Sequence, residues 1–316
     1  MKGASDIKGT LNGLQQAPNG VLIIDKPADM TSADVVNRVK RLPGVKKAGH
    51  TGTLDPFATG VLVCPINRAT RLAQFFLHGR KTYAATLHLG IETDTQDHTG
   101  RTVATHTIDD IGESAIYEAV SAFVGEIEQV PPAFSALKHE GVPLYKHARK
   151  GRPIEKPSRR VRIERLDVVA VRLPEIDIEV SCSGGTYIRT LCADIGRRLG
   201  CGGHLCRLKR TKTGGKTIAE AASLSELQAV ESVAQLADFV VPMADAIDHM
   251  AGYVADAEVQ KKVQHGRPLS PSDFRVPADL DPDWPYVKIT DADNGLLAVV
   301  HVPENKFEYP YCCVFH

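Results

Sequence analysis

The chain has 316 residues, of which 43% are hydrophobic and 24% charged, and its 38 basic side chains balance its 38 acidic ones. This composition is typical of a folded core and excludes a disordered chain, and no apolar run approaches the roughly 20 residues that span a membrane. The length predicts one large domain, or a large and a small one. Residues 1–20 are polar and lack the apolar centre of an export signal, so we expect a loose tail over 1–19 and the cytosol as the compartment.

Predicted strands and helices alternate along the first part of the chain. The apolar run 21–24 predicts a buried strand, and Thr31 or Ser32 is suited to cap a helix that ends near Arg41, before Pro43. The next predicted elements are a strand at 61–65, a helix at 68–77, an alternating strand at 81–89, and a helix that begins at Asp110 or Ser114 and ends near 123.

A basic insertion follows from about 131 to 160, opened by Pro131 and Pro132, with a short helix predicted near 144–150. After it come predicted strands at 161–173 and 176–182, a helix at 187–199 closed by Gly200, and a strand at 205–211. Because the order of strands and helices has no regular period, we predict a mixed α/β (α+β) sheet and not a doubly wound one.

The sequence pattern changes near residue 248. A helix is predicted at 224–239, and Pro242 indicates a boundary before a small C-terminal domain at 249–316. Short strands joined by turns are predicted there, around 263, 266–269, 287–289, 296–302 and 312–315.

Charge is unevenly distributed despite the net balance. Residues 138–216 carry 19 basic and 8 acidic side chains, whereas residues 217–316 carry 6 basic and 16 acidic ones. Clustered lysine and arginine side chains release counterions from a phosphate backbone, so the middle segment favours a nucleic-acid partner over a merely solvated face. The acidic C-terminal segment does not have the charge expected of an RNA-binding domain.

The most informative run is GHTGTLDPFATG at 49–60. Its three glycines allow backbone or ligand to approach closely, and Pro56 biases Asp55 towards an extended conformation. A carboxylate held just before the apolar run 61–64 is well placed for chemistry, but an Asp-Pro turn beside a buried strand has the same pattern. The residues alone leave both interpretations open.

This run resembles the active-site signature of the TruB family of tRNA pseudouridine synthases, and five more blocks resemble that family in the same order. They are DKP at 25–27 with TS at 31–32; KTY at 81–83 with LG at 89–90 and TDTQD at 93–97; SALK at 135–138 with Gly141, Tyr145 and ARKG at 148–151; GTYIRT at 185–190; and GHL at 203–205 with LKRT at 208–211. The resemblance implies a pseudouridine synthase catalytic domain at 20–248 and a PUA-like β-barrel domain at 249–316.

One residue departs from the family pattern. Asp29 stands where the family usually has glycine, but aspartate tolerates a left-handed backbone better than most residues.

The resemblance also implies roles for individual residues. Asp55 would be the nucleophile, which attacks the ribose C1′, assists departure to a glycal or attacks the base, the alternatives debated for the family. Arg189 would pair with Asp55 and keep it ionised, and Tyr83 would stack on the everted base and contribute to deprotonating C5. The other implied substrate contacts are His50 beside the displaced nucleotide, Tyr187 and Leu208 in the pocket, Asp97, and the basic residues Lys138, Lys146, Arg149 and Lys150.

The implied reaction converts the uridine at position 55 in the TΨC loop of tRNA, which must be extruded to reach Asp55. No cofactor is expected because no electrons are transferred, and TGGKT at 213–217 fails the phosphate-loop pattern because Arg210 stands where a glycine is required. Cys201, His204 and Cys206 lack the second cluster typical of zinc sites, so we expect no metal. We expect a monomer that binds the TΨC arm of tRNA, with no obligatory protein partner and no membrane association.

Three other functions fit parts of the pattern. A glycoside hydrolase also attacks C1′ but needs a second facing carboxylate, and no motif near Asp55 supplies one. Release of free uracil from RNA would support that function. A non-catalytic RNA chaperone predicts that Asp55→Asn leaves RNA modification unchanged, and a guide-RNA-dependent enzyme predicts no activity on a bare tRNA transcript.

Overall fold

The computed structural model describes residues 18–77, 79–278, 280–281, 284–303 and 307–315. Among them the strands are β1 (Gly20–Lys26), β2 (Thr59–Ile66), β3 (Lys81–Leu89), β4 (Ile91–Thr93), β5 (Thr102–Thr105), β6 (Gly125–Gln129), β7 (Lys138–His139), β8 (Val142–Pro143), β9 (Arg159–Arg172), β10 (Glu175–Cys182), β11 (Gly203–Thr213), β12 (Lys216–Thr217), β13 (Ala222–Ser223), β14 (Val240–Pro242), β15 (Ala251–Val254), β16 (Tyr286–Thr290), β17 (Leu296–His301) and β18 (Tyr311–Val314). The helices are α1 (Ser32–Val39), α2 (Ala73–Leu77), α3 (Glu113–Ser121), α4 (Leu144–Ala148), α5 (Ile188–Arg198), α6 (Leu224–Gln228), α7 (Val233–Ala237), α8 (Met243–Ala246) and α9 (Ala257–Gln264), with 3₁₀ turns at Asn67–Leu72 and Ile218–Glu220. None of these described helices is long and apolar enough to cross a membrane. The tail predicted over 1–19 lies outside the described residues except for Pro18 and Asn19.

One large mixed sheet forms the framework of the molecule. Its strands run in the order β13-β1-β2-β11-β3-β10-β9-β6, with β12 beside β11 and β14 beside β1. The pairs β1/β13 and β2/β11 are parallel, whereas the other neighbouring strands are antiparallel. The prediction of a mixed α/β sheet is therefore confirmed.

Strand β1 is buried on both faces, as its continuous apolar sequence predicts. Leu22 and Ile24 face a cluster that includes apolar side chains of α1, α6 and α7. Val21 and Ile23 face the opposite cluster, which includes side chains of α2 and of β17. Helix α1 begins after Thr31, whose hydroxyl caps the helix as predicted.

A further core lies where helices α3 and α5 pack against β3, β10 and β11. Helix α5 buries Ile188, Leu191 and Ile195, whose spacing places them on one face of the helix. Gly200, with φ +78°, follows the end of this helix as predicted. This packing buries Arg189, which belongs to the first turn of α5.

The parallel contact between β2 and β11 fixes the first residues of β2. Thr59 pairs with Lys209, and Gly60 pairs with Arg210. Gly60 has φ +100°, and a Cβ atom added there would lie 2.2 Å from the backbone oxygen of Arg210. Only glycine therefore fits at the residue that joins the 49–60 run to the sheet.

Three predicted elements of the C-terminal third are wrong. Residues 266–269 form no strand and make only one isolated β-bridge, between Leu269 and Tyr309. The helix predicted at 224–239 is divided into α6 and α7, because Ser232 adopts an extended backbone and its side chain caps a new helix. The strand predicted at Val263 is instead the end of α9. Val259 and Val263 lie four residues apart on the buried face of that helix.

Two helix starts also differ from the prediction. Helix α3 begins at Glu113 after Gly112, and neither Asp110 nor Ser114 caps it. The helix predicted at 68–77 starts as a 3₁₀ turn and becomes α-helical at Ala73. Neither N-terminus has a side-chain cap, so the capping pattern could not locate these starts.

Strands β15–β18 form a second sheet in that order, with β15 and β16 parallel and the other pairs antiparallel. Leu296 and Val299 of this sheet, together with Phe315, join Val21 and Ile23 in one apolar cluster. The second sheet therefore shares a core with the large one. Its PUA-like character and the domain boundary at 248 remain predictions.

The close approach at Gly60 predicts a large effect of adding one methyl group. Gly60→Ala should lower the free energy of unfolding by at least about 3 kcal/mol, because the left-handed backbone and the collision with Arg210 both add strain. Gly125→Ala is the matched control, since Gly125 has φ +108° but no atom within 4 Å of the added Cβ. Urea denaturation of both variants measures the difference, and equal losses of stability would contradict the importance of the β2/β11 contact.

Candidate active site

The Asp55 loop is held by two buried side chains that lie beneath it. Lys26 is fully buried, and its Nζ donates hydrogen bonds to three backbone oxygens, including that of Pro56 at 3.0 Å. The hydroxyl of Ser32 accepts a hydrogen bond from the N–H of Leu54 at 2.9 Å. Both neighbours of Asp55 in the chain are thus fixed to the β1–α1 segment.

Asp29 lies in the turn between β1 and α1. Its φ of +58° is in the left-handed region, which glycine favours and aspartate tolerates. Aspartate therefore adopts here the left-handed backbone that it tolerates, and the effect of its replacing the glycine usual in the family stays a prediction.

Arg189 joins Asp55 to two other segments. Its Nε lies 3.0 Å from Oδ2 of Asp55, in an ion pair whose N–H is not aligned as a hydrogen bond, and its Nη1 lies 3.4 Å from Oδ2 of Asp97. The guanidinium also donates to the backbone oxygens of Thr95 at 3.0 Å and Phe134 at 2.8 Å. One arginine with 4% exposure therefore connects the Asp55 loop, the 93–97 segment and the basic insertion.

Asp97 is occupied by its own neighbours. Its Oδ1 accepts hydrogen bonds from the hydroxyl of Thr95 at 2.8 Å and from the backbone N–H of Thr99 at 2.9 Å. Its side chain is only 6% exposed, whereas that of Asp55 is 31% exposed. Asp55 is therefore the carboxylate that a substrate can reach, and Asp97 supports the arginine.

Burial raises the pKa of Asp55 above its ordinary value, and the guanidinium of Arg189 is the strongest opposing influence. Asp97 adds to the rise, whereas Lys26 opposes it. The arginine thus favours the ionised form of a carboxyl whose surroundings otherwise favour the neutral form. An ionised carboxylate of this kind can attack a sugar carbon.

Tyr83 and Leu208 extend from neighbouring strands into the wall of the same cleft. Tyr83 is 7% exposed and Leu208 is 8% exposed, and both belong to the core beneath the sheet. Burial raises the pKa of Tyr83, whereas the nearby guanidinium of Arg210 opposes this rise. The aromatic ring and the leucine give the cleft an apolar floor beside Asp55.

His50 and Tyr187 also line the cleft. Burial, followed by the charge of Arg210, lowers the pKa of His50, so its imidazole is neutral at pH 7. Tyr187 precedes α5, and its backbone N–H donates to the side-chain oxygen of Gln129 at 2.7 Å. Its ring lies 4.7 Å from the guanidinium carbon of Arg159, in a cation–π contact.

The structure brings only part of the predicted basic insertion to the cleft. Arg149 lines it, and its guanidinium lies 5.5 Å from the centre of the Tyr145 ring. Lys146 and Lys150 are exposed and do not line the cleft as it is formed by the described residues. Lys138 lies on β7, and its side chain is outside the described residues.

Three basic side chains that were not predicted as site residues also line the cleft. They are Lys81, Arg159 and Arg210. Lys81 and Arg210 are 6% and 2% exposed. Burial, followed by the charge of Arg210, lowers the pKa of Lys81 to about 8. Lys81 and Arg210 belong to sequence blocks that resemble the family, and this resemblance could have identified them as site residues. Arg159 lies outside those blocks, and only its basic surroundings pointed to it.

The cleft has a volume of about 1070 Å³, at the upper end of the roughly 300–1,000 Å³ usual for small-ligand sites. No group of three or more His, Cys, Asp or Glu side chains in the described part of the chain is arranged to hold a metal ion. His204 lies on β11, where its Nδ1 is 2.9 Å from the backbone oxygen of Ile91. The site thus combines an accessible carboxylate, a cation beside it and an apolar floor in a cleft large enough for a nucleotide.

Sequence comparison identifies the family of the chain. Residues 40–188 match the model of the TruB family pseudouridylate synthase (N terminal domain), and residues 189–248 match the tRNA pseudouridylate synthase B C-terminal domain. A tRNA pseudouridine synthase B of Geobacter sulfurreducens is 44% identical over 250 residues, which cover 79% of this chain and 82% of the relative. A protein of the same name from Syntrophobacter fumaroxidans is 43% identical over 300 residues, covering 90% of this chain and 94% of the relative.

Solved structures show the same fold. A chain in the crystal structure of a Cbf5-Nop10-Gar1 complex is 26% identical, with a TM-score of 0.76 over 98% of this chain and 88% of that one. A chain in the structure of an H/ACA RNP bound to a substrate RNA containing 2'-deoxyuridine has a TM-score of 0.72 at 24% identity, over 94% of this chain and 85% of that one. The similarity of sequence over most of the chain shows that the protein belongs to the TruB family of pseudouridylate synthases and is an isomerase.

Proposed function

We propose that the protein converts the uridine at position 55 in the TΨC loop of tRNA to pseudouridine, with Asp55 as the nucleophile. The observation that carries the proposal is the ion pair between Asp55 and the buried Arg189, at 3.0 Å, in a cleft large enough for a nucleotide. The names of the relatives, tRNA pseudouridine synthase B, support tRNA as the substrate.

The first step breaks the N1–C1′ glycosidic bond. The Asp55 carboxylate attacks C1′, or assists departure to a glycal, and the electron pair of the broken bond leaves with the uracil. Arg189 keeps Asp55 ionised before this step and orients it through the contacts with Asp97 and the two backbone oxygens. Because Asp97 is held by Thr95 and Thr99, it does not act as a second catalytic acid.

The second step joins C5 of the turned base to C1′. Tyr83 stacks on the base and contributes to removing the proton from C5, after which the product carries the proton on N1. His50 occupies space beside the displaced nucleotide, while Tyr187 and Leu208 enclose the base. The uridine must leave the stacked loop to enter this pocket, and the apolar floor compensates for part of the lost stacking.

The remaining contacts bind the TΨC arm. We assign Arg149 to the phosphate backbone at the mouth of the cleft, together with Lys138, Lys146 and Lys150 of the basic insertion. The chain acts as a monomer in the cytosol, without a cofactor or an obligatory protein partner. Incubation of the purified chain with an unmodified tRNA transcript tests this, and a requirement for a guide RNA or a second protein would contradict it.

Removing the charge of Asp55 should abolish the chemistry but not the binding of tRNA. We expect Asp55→Asn to lower pseudouridine formation by at least about 10³-fold, measured by carbodiimide mapping or mass spectrometry of the tRNA. Because burial raises the pKa of this carboxyl, ionisation at pH 7 destabilises the folded state, so the variant should unfold at an equal or higher temperature. Asp29→Asn is the matched control, since Asp29 is exposed and asparagine also tolerates its φ. Unchanged modification by Asp55→Asn would contradict the proposal.

The pH dependence of the rate should report the ionisation of Asp55. Because its pKa is raised above 3.8, the single-turnover rate should fall about tenfold per pH unit below that raised value. Replacing Arg189 by glutamine removes the main influence that lowers this pKa, so the rate should begin to fall at a higher pH. Arg189→Lys keeps a cation and should shift the onset of this fall by less. If the rate fell below the same pH in the unsubstituted protein and in both variants, Arg189 would not keep Asp55 ionised.

The basic insertion should contribute to binding through its charge. Combined Lys146→Gln, Arg149→Gln and Lys150→Gln should weaken tRNA binding and lower the slope of log K against log salt by about 0.7–0.9 per lost phosphate contact. The matched control exchanges lysine and arginine at the same three positions and keeps the charge. Filter binding at several salt concentrations measures the slope, and an unchanged slope would remove the insertion from the interface.

A further inference from the structure

Arg210 is a buried cation that the proposed chemistry does not yet use. It is 2% exposed, and no ion pair among the described residues includes it. Its Nε donates to the backbone oxygen of Val61 at 2.7 Å, and its Nη2 donates to that of Gly52 at 3.1 Å. A guanidinium buried without a carboxylate is costly to retain, so its charge calls for a physical explanation.

The position of Arg210 relative to Tyr83 supplies that explanation. The two residues lie directly opposite each other in the antiparallel pairing of β11 with β3. Paired residues of adjacent antiparallel strands extend to the same face of the sheet, and both side chains line the cleft. The guanidinium of Arg210 therefore lies near the phenol, and its charge opposes the rise in the pKa of Tyr83. Gly52 and Val61 lie on either side of Asp55 in the chain, so the same guanidinium also holds the loop that carries the nucleophile.

We propose that Arg210 is a positioning residue for Tyr83: its guanidinium, which also holds the Asp55 loop, stabilises the phenolate that removes the proton from C5. The inference rests on the proposed function, because it assumes the conversion of uridine to pseudouridine. Once C5 is bonded to C1′, its proton passes to the phenolate oxygen. The electron pair of the C5–H bond forms the C5=C6 bond, the former N1=C6 pair moves to N1, and N1 takes a proton from water. The hydroxide that remains takes the phenol proton, which restores both the water and the phenolate.

Other charged or titratable groups near Tyr83 do not supply a comparable contact. Cys182 from β10 and Asp55 from the loop both raise the pKa of Tyr83 and so oppose the phenolate. Lys81 lies two residues away on β3, but its Nζ donates to the backbone oxygens of Leu77 at 3.1 Å and Gly79 at 2.7 Å. Arg210 is therefore the group in this surrounding that favours the phenolate.

The test measures the rate with tRNA transcripts that carry hydrogen or deuterium at C5 of every uridine. In single-turnover assays at saturating enzyme, Arg210→Gln should react about 10²-fold more slowly than the unsubstituted protein, because the phenolate of Tyr83 that removes the proton is less stable without the guanidinium. The deuterium isotope effect at C5 should increase in this variant, since proton removal then limits the rate. Arg210→Lys keeps the charge with poorer geometry and should show an intermediate rate and isotope effect.

A double-mutant comparison separates this role from a structural one. If Arg210 acts through Tyr83, Arg210→Gln should slow the Tyr83→Phe variant much less than it slows the unsubstituted protein. Lys209→Gln is the matched control, because it removes the neighbouring, exposed charge on the same strand and should leave the isotope effect unchanged. Thermal unfolding checks that the variants fold, and if the glutamine variant does not, Arg210→Lys carries the comparison.

The outcomes distinguish this inference from the proposed function. A slow Arg210 variant with an unchanged isotope effect, or full additivity with Tyr83→Phe, would overturn the role of Arg210 while leaving the proposed function intact. If the unsubstituted protein itself forms no pseudouridine, the proposed function fails and not the assignment of Arg210 alone.

Discussion

The site depends on one buried guanidinium that is shared among segments distant in sequence. Arg189 contacts Asp55, Asp97 and the backbone oxygens of Thr95 and Phe134, although these residues lie more than 50 positions from it. Each of these contacts offsets part of the cost of burying the guanidinium. The Asp55 loop, the 93–97 segment and the basic insertion are therefore positioned together, and the geometry exists only in the folded chain.

Cations buried without carboxylates are the second characteristic of this site. Lys26, Lys81 and Arg210 donate only to backbone oxygens among the described residues. Each of them costs desolvation energy that neutral residues would avoid. The charge of Lys26 favours the ionised form of Asp55, and that of Arg210 favours the phenolate form of Tyr83. The protein thus accepts local instability where charge develops during the reaction.

The sequence predicted the residues that carry chemistry better than their surroundings. The runs around Asp55 and Arg189 predicted that these two side chains meet, because several ordered blocks resemble one family. The mixed sheet followed from alternating apolar runs, but the break at Ser232 and the helical state of Val263 did not. Short helices leave little periodicity to read, and local capping by Ser232 overrides an apolar pattern that continues across it.

Buried arginines and surface lysines were harder to predict, because charge alone indicates exposure. Nothing in the spacing of β11 distinguishes Arg210, which is buried, from Lys209, which is exposed. In the basic insertion, Lys146, Arg149 and Lys150 were predicted as substrate contacts on charge and resemblance alike. Arg149 lines the cleft, whereas Lys146 and Lys150 do not. Which side chain of a basic run turns inward is decided by tertiary packing, and a single sequence does not record it.

The shared core between the two sheets has a consequence for the distribution of charge over the molecule. Because Leu296 and Val299 pack with Val21 and Ile23, the acidic C-terminal region is fixed to the catalytic sheet and does not move freely beside it. A polyanion that approaches from that side meets repulsion, whereas the basic middle segment attracts it. The molecule therefore carries a permanent charge gradient, which would orient an approaching polyanion before any close contact forms.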